Sequence, residues 1–390
     1  METTGLSGSR VVVVGGGPAG MMLGLLLARA GVEVVVLEKH ADFARDFRGD
    51  TIHPSTMAVM DELGLLEEFL RIPHTRADDL TIRVDGRARR FVDFRGMHVP
   101  CSYIALMPQW DFLDFLARHA AAYPTFRLAM RTRATDLLWD GGRVVGVRAS
   151  GPGGDAELTA DLVVATDGRH SIIRAQAELP VRTRGVPFDV LWFRLPKGDS
   201  PGDATFTLAH VRDGSALITL DRREYWQCGL VVRKEALDRL RADGLPAFRA
   251  HIAAVAPVLA PVVATIIDWE QVKTLVVRVD RLVRWYRPGL LCIGDAAHAM
   301  SPAGGVGVNY AVADAVATAN LLAARLRDGR VRPRDLRRVQ RRRGWPVRLM
   351  QHIQTAQGAL VGRMLPGVGA PAAQPAPDRR ASWAGRGVRR

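Results

Sequence analysis

Arg10-Val11-Val12-Val13-Val14-Gly15-Gly16-Gly17-Pro18-Ala19-Gly20-Met21 decides the fold of this chain. Four consecutive valines are a short strand buried on both faces. The glycines that follow recur as Gly15-x-Gly17-x-x-Gly20. Gly15 permits a tight turn, Gly17 lets backbone approach a pyrophosphate, and Gly20 allows a helix to pack closely on the strand. Pro18 and Ala19 open a helix running to Ala30, whose N-terminus turns oriented N–H groups toward negative charge. A second strand, Glu33 to Leu37, completes a βαβ unit. Glu38 ends that strand 18 residues beyond Gly20, where a carboxylate accepts hydrogen bonds from a ribose diol. Lys39 beside it is either its ion-pair partner on a solvated edge or a further cofactor contact. In this context the glycines indicate a dinucleotide and leave NAD and FAD undecided.

The same stretch admits a rival reading. Val11 to Ala28 is uncharged, follows Arg10 and ends near Ala28-Arg29-Ala30, the pattern of a signal peptide or membrane span. Gly15, Gly16, Gly17, Pro18 and Gly20 interrupt it where a phosphate-binding turn needs them, and a second strand follows at once. No other stretch is read as long enough to cross a bilayer.

Further along, Pro54 to Leu63 is predicted as a helix stopped by Gly64, and Leu80 to Phe94 as two strands around Asp85-Gly86. Trp110 to Ala122 is predicted as a helix, and Arg133 to Ala165 as a three-stranded meander. Phe188 to Arg233 alternates in β fashion and is followed by helices near Glu235 to Asp243 and Ala247 to Val255, a sheet-based insertion. Leu290 to Ile293 returns to a buried strand and Val306 to Leu326 to an Ala-rich helix. Two helices, from about Arg334 and from Val347, are expected to close the fold.

With 390 residues, 48% hydrophobic and 24% charged, the chain has room for two domains or one large α/β unit with an insertion. Three cysteines (Cys101, Cys228, Cys292) stand far apart in no CxxC or Cys/His array. That pattern argues against a disulfide framework or a zinc site and fits a reducing, cytoplasmic setting. The net charge of +14 is local: Leu321 to Arg390 holds 17 basic and 3 acidic residues, and the remainder balances. Nucleic acid is therefore not an expected partner of the body. Residues 366–390, rich in Pro, Ala, Gly and Arg, read as a basic disordered tail.

Two further motifs separate FAD from NAD. Leu162-Val-Val-Ala-Thr-Asp167-Gly168-Arg-His-Ser171-Ile-Ile-Arg174 and Gly294-Asp295-Ala-Ala-His298-Ala-Met-Ser-Pro302-Ala-Gly304-Gly305-Val306-Gly307-Val-Asn309 resemble the "DG" and "GD" fingerprints of FAD-dependent class A flavoprotein monooxygenases, the p-hydroxybenzoate hydroxylase-like aromatic hydroxylases. The resemblance spans residues 10 to about 325. It implies an α/β fold: a Rossmann-like FAD-binding domain of the glutathione-reductase type, an inserted mixed β-sheet substrate domain, and C-terminal helices. The corresponding division is 1–75, 100–180 and 285–330 for FAD, 76–99 and 181–284 for substrate, 331–365 for the helices, and the tail.

Residue by residue, the resemblance implies that Gly294 and Asp295 meet the ribityl chain of FAD. Pro302 and Gly304 through Gly307, with Val306 and Asn309, pass beside the isoalloxazine, where backbone N–H groups stabilise charge on the reduced ring. Asp167 and Gly168 link FAD to the pyridine nucleotide, with Ser171 and Arg174 supporting the turn. Arg48 meets the pyrophosphate and Gln109 opens a cofactor-facing helix. Arg174 as a helix-surface residue and Arg48 in a solvated loop are the ordinary alternatives. His298 suits packing or cofactor positioning better than proton transfer, and His53 and His98 are candidates without a role.

The implied reaction is hydroxylation of an aromatic or polyketide-like molecule: NAD(P)H, a transient co-substrate, reduces FAD, and O2 adds at the flavin C4a. No catalytic acid or base stands out. Trp192, Phe193, Phe206, Leu208 and Trp226 of the insertion are candidates for an apolar roof over the ring, or simply inward sheet positions. A reductase or dehydrogenase on the same fold would bind FAD through identical residues. A flavin-binding interaction protein with a basic tail is the third reading. Beyond Met364-Leu365-Pro366 no long thioredoxin-like extension follows, so a compact member is expected. The WxWxIP segment of flavin halogenases is absent from the sequence.

Overall fold

The computed structural model describes residues 9–44, 51–197, 207–222 and 224–364; Arg48, Phe206 and the segment 366–390 lie outside them. Val11–Val14 runs through the middle of a six-stranded sheet, parallel to Leu162–Ala165 on one side and Val34–Leu37 on the other. Phe126–Ala129 extends the sheet beyond Val34–Leu37, and Leu290–Cys292 beyond Leu162–Ala165, both parallel. Tyr286–Arg287 closes that edge antiparallel. Strands from residues 11, 34, 162 and 290 meet here because each is an apolar run that must be covered on both faces.

One cover is helical: Pro18–Arg29 packs against Gly307–Arg327 and Gln109–Ala121. The other is the antiparallel meander Arg133–Asp140, Arg143–Gly151 and Gly154–Thr159, whose Leu137, Val144, Val147 and Leu158 join the same core. Val11 to Ala28 is thus a buried strand, a turn and a helix inside a domain core, not a span. The one described helix apolar and long enough to cross a membrane is 303–327, which corrects the expectation that no other stretch has that length. Half of its most apolar stretch is buried in the protein.

A second, seven-stranded sheet draws on two distant segments. Its order is Lys273–Leu275, Phe188–Pro196, Tyr225–Arg233, Ser215–Asp221, Thr207–Arg212, Asp79–Val84 and Arg87–Asp93. Side chains alternate along it as strand geometry requires. Leu191, Phe193 and Leu195 meet Phe248 and Ile252 of the helix Gly244–Val255, whereas Val190 and Trp192 pack on the opposite side with Phe188, Val277 and Val279. A small antiparallel sheet is formed by Val181–Gly185, Arg278–Leu282 and His298–Ala299.

The C-terminal part departs from expectation. Gly344-Trp345-Pro346 predicts a break, yet Pro333–Met364 is one helix with Pro346 inside it. Its inward side explains the continuity. Leu336, Val339 and Val347 are buried on both sides of the proline. Gln340 and Gln351 hold backbone of neighbouring strands on either side as well, bonding Val283 and Asp280 respectively. The lost backbone bond is outweighed by tertiary packing.

Candidate functional site

The three fingerprints converge at the carboxyl ends of the parallel strands, where ligands bind in open α/β sheets. Gly15 takes φ of +109°, and a Cβ there would stand 2.6 Å from the Thr166 carbonyl oxygen. Thr166, just before Asp167, donates its hydroxyl to the carbonyls of Val14 (2.9 Å) and Gly15 (2.7 Å). A Cβ at Gly20 would lie 2.0 Å from the Gly15 oxygen, so the helix sits on the turn as closely as backbone permits. Around Gly17 a Cβ would meet nothing within 4 Å, which leaves that backbone open to a ligand. Pro18 occupies the first helical turn, and Ala19 is buried beneath the third fingerprint: a Cβ on Gly294, at φ of +59°, would lie 3.0 Å from the Ala19 Cβ.

Glu38 is buried, with one carboxylate oxygen accepting the Gly16 N–H and the other the His40 N–H, both at 2.9 Å. It therefore braces the glycine turn as well as standing at the end of its strand. Lys39 is exposed. Gln109 starts the helix Gln109–Ala121 with its side chain half-buried.

In the second fingerprint, Gly168 takes φ of +85°. Asp167 accepts the Ile173 N–H on one oxygen at 3.3 Å, and its other oxygen is buried without a partner among the described residues. Burial pushes its carboxyl up, opposed by hydrogen bonds from Ser171 and backbone. Ser171 caps the short helix Ile172–Gln176 by accepting the Arg174 N–H at 2.9 Å. Arg174 is not a helix-surface residue. It bonds the Arg169 carbonyl (2.6 Å) and the Ala296 carbonyl (3.3 Å) and lies 3.6 Å from Asp280.

Asp295 faces Arg169 at 3.3 Å and keeps a third of its side chain exposed. The segment after it is stapled by Asn309. Its amide donates to the Thr51 carbonyl (3.1 Å) and the Gly305 carbonyl (3.2 Å), and its oxygen accepts the His53 N–H (2.8 Å) and the Thr56 hydroxyl (2.7 Å). Asn309 thus acts by holding 51–56 against the glycine loop. Gly304 and Gly305 take φ of +77° and +59°, and Pro302, Val306 and Gly307 lead that loop into the N-terminus of Gly307–Arg327. Burial pushes His53 down to about 4, with a backbone hydrogen bond at Gly304 opposing it, so the ring is neutral at ordinary pH. Its Nε2 is buried and unpartnered among the described residues. His98 is exposed.

Behind the loop is a buried ionic network. Asp314 Oδ2 accepts the Gly294 N–H (2.9 Å) and lies 2.6 Å from His298 Nε2, while Arg343 Nε donates to its Oδ1 at 2.7 Å. Burial opposes ionisation of Asp314, but the charge and hydrogen bonds of His298 and Arg343 outweigh it and hold the carboxyl below its ordinary range. His298, almost fully buried and 5.0 Å from the Trp285 ring, is a positioning residue within this network. Thr51, Thr166, Arg169, Asp314 and Arg343 were not read from the sequence. Only Asp314 left a sign, a lone carboxylate in an Ala-rich helix.

The proposed roof residues divide. Phe193 and Trp226 pack into the helix-covered core with Phe248 and Ile252, because strand alternation turns them to that side. Trp192 and Leu208 belong to the cluster on the opposite side, where the Trp192 indole N–H is buried without a partner among the described residues.

These features fit FAD: a turn with no room for Cβ atoms at its ends but open at Gly17, an unpartnered buried oxygen on Asp167, and an unpartnered ring nitrogen on His53 beside the glycine loop. Comparison with known proteins agrees. The profile of the family described as FAD binding domain matches residues 9–346. The 6-methylpretetramide 4-monooxygenase of Streptomyces rimosus is 31% identical over 353 residues, covering 90% of this chain and 84% of that protein. The para-nitrophenol 4-monooxygenase of Pseudomonas sp. (strain WBC-3) is 27% identical over 349 residues, covering 82% and 79%. The fold is shared with PqsL of P. aeruginosa, solved in complex with 2-aminobenzoylacetate. That match has a TM-score of 0.79 at 23% identity, covering 91% of this chain and 97% of that one.

Proposed function

The chain belongs to the FAD binding domain family of class A flavoprotein monooxygenases, and from that premise we propose that this FAD-dependent oxidoreductase hydroxylates an electron-rich aromatic or polyketide-like small molecule with NAD(P)H and dioxygen. The observation that carries the reading is the meeting of the three fingerprints at Gly15, Ala19, Thr166 and Gly294. Bound FAD supplies the redox chemistry, taking electrons from the nicotinamide and activating oxygen.

The residues divide the remaining work. The N–H groups of Gly17, Ala19 and Gly20 hold the pyrophosphate at a helix N-terminus. Glu38 takes the ribose and Asp295 the ribityl hydroxyls. The loop from Pro302 to Gly307, held by Asn309 and Thr51, sets its backbone beside the ring. The segments 76–99 and 181–284 act as the substrate-binding unit, with the Trp192 side of the seven-stranded sheet turned to a flat substrate. Excluding water there protects the reaction from wasteful release of hydrogen peroxide.

The test is turnover of FAD-loaded protein with NAD(P)H, isotopically labelled dioxygen, and a panel of phenols and polycyclic aromatic polyketides. Labelled oxygen in a product is the expected result. Substrate consumed with no label incorporated would replace the reading with a reductase.

A further inference from the structure

We infer that the face where Val181–Gly185, Arg278–Leu282 and the C-terminal helix meet is a binding site for a phosphoryl anion. Arg182 and Arg281 stand directly opposite each other in the antiparallel pair, an arrangement that is destabilising for like charges. Arg184, two residues along the same side, brings its guanidinium within 3.3 Å of His352 Nδ1 on the helix. Arg281 donates to Gln351 at 3.2 Å, and Arg348 stands exposed on the neighbouring turn, donating to its own helix at Gly344.

No carboxylate answers this charge. Among the described residues none of Arg182, Arg184, Arg281 and Arg348 has an ion-pair partner, and the nearby acids are engaged elsewhere. Asp280 is turned to Arg174 and Asp314 to Arg343. Burial and the neighbouring Arg184, Arg348 and Arg182 all push the Arg281 guanidinium down, and no acid opposes them. A fold gains nothing from such a cluster, since a neutral side chain opposite Arg281 would pair better. A multivalent oxyanion changes the balance, because planar guanidinium groups from two strands and a helix engage several phosphoryl oxygens at once. The site is separate from the FAD pyrophosphate turn and does not rest on the hydroxylase reading. It does adjoin the cofactor loop, because Arg281 is paired in register with His298.

The experiment uses FAD-saturated protein at fixed ionic strength, titrated with inorganic pyrophosphate against sodium chloride and followed by thermal melting. The wild type is expected to rise saturably in Tm with pyrophosphate. Arg182→Gln, at an exposed position, should raise Tm by about 1–2 °C in chloride alone, since a like charge is removed. The same variant should weaken pyrophosphate binding about tenfold, the loss of one charge-assisted contact. Arg182→Lys should restore the charge but only part of the affinity, and Arg182→Gln with Arg281→Gln should abolish the response. A preference for NADPH over NADH that vanishes in the double variant would identify the phosphate as that of a pyridine nucleotide. Pyrophosphate stabilisation without that preference would identify a free phosphoryl anion. No shift beyond the chloride control, or a full shift in the double variant, overturns the proposal.

Discussion

Asp295 and His53 stand at the glycine loop in different settings, one half-open and facing Arg169, the other buried and neutral. Asp295→Ala removes the carboxylate that faces Arg169 and that we propose holds the ribityl hydroxyls. FAD affinity is expected to fall about 10- to 100-fold, the loss of one or two hydrogen bonds to a charged group. Equilibrium dialysis reads this directly, and full yellow occupancy at low micromolar FAD would refute the assignment. For His53 the sign runs the other way from a salt-bridged histidine. Its folded pKa, about 4, lies below the ordinary 6.5, so the unfolded chain binds the extra proton first. Stability is complete above pH 6.5 and falls as pH drops toward 4, by up to ~3 kcal/mol. Urea unfolding of wild type and His53→Gln at pH 7 and about pH 5 should show a pH-dependent loss in the wild type that is smaller in the variant. Single residues were legible where the local backbone demanded them, as with Gly15 and Gly20, where a Cβ would collide with neighbouring backbone. They were hidden where the partner is fixed only by folding: Thr51 meets Gly305, and Arg174 meets Ala296, across more than a hundred residues.

At the scale of elements, the glycine loop behaves as a mould. Gly305→Ala would place a Cβ 2.1 Å from Thr51 Oγ1 at a φ of +59°, a strain of about 1–3 kcal/mol. The expected result is a lower melting temperature together with weaker FAD binding, partly relieved by Thr51→Ala in the same chain. Unchanged FAD titrations would show that the loop tolerates displacement. The buried strands and the helices at 18, 54, 109 and 307 could be read from the sequence, because period and punctuation agreed there. The Pro346 break could not, since packing on both sides of it overrides a local signal. The facing of Phe193 and Trp226 was equally hidden: hydrophobicity marks a residue as inward, but a sheet covered on both sides has two inward directions.

At the scale of the whole molecule, Arg343 ties the C-terminal helix to the cofactor loop through Asp314. Arg343→Met strips a buried carboxylate of its guanidinium partner and leaves it His298 and the Gly294 N–H, a change expected to cost about 3–5 kcal/mol. Calorimetry of the variant should show that loss, with FAD release at a lower temperature than in the wild type. An unaltered melt would mean that the helix is dispensable to the loop. The excess of basic residues after Leu321 was legible as a local surplus, whereas the register that sets Arg182 against Arg281 was not.

The interleaving of the two large sheets also governs how the protein is made. Asp79–Val84 must wait for Thr207–Arg212 before it gains its parallel neighbour, and Leu162–Ala165 must wait for Leu290–Cys292. Neither sheet can be completed while the ribosome still holds the last third of the chain, so two strand edges, one of them wholly apolar, stay unpaired through most of synthesis. Such non-local pairing makes refolding slow and leaves it open to aggregation. Yield in a heterologous host will therefore answer more to chaperone supply and growth temperature than to the stability of the finished enzyme.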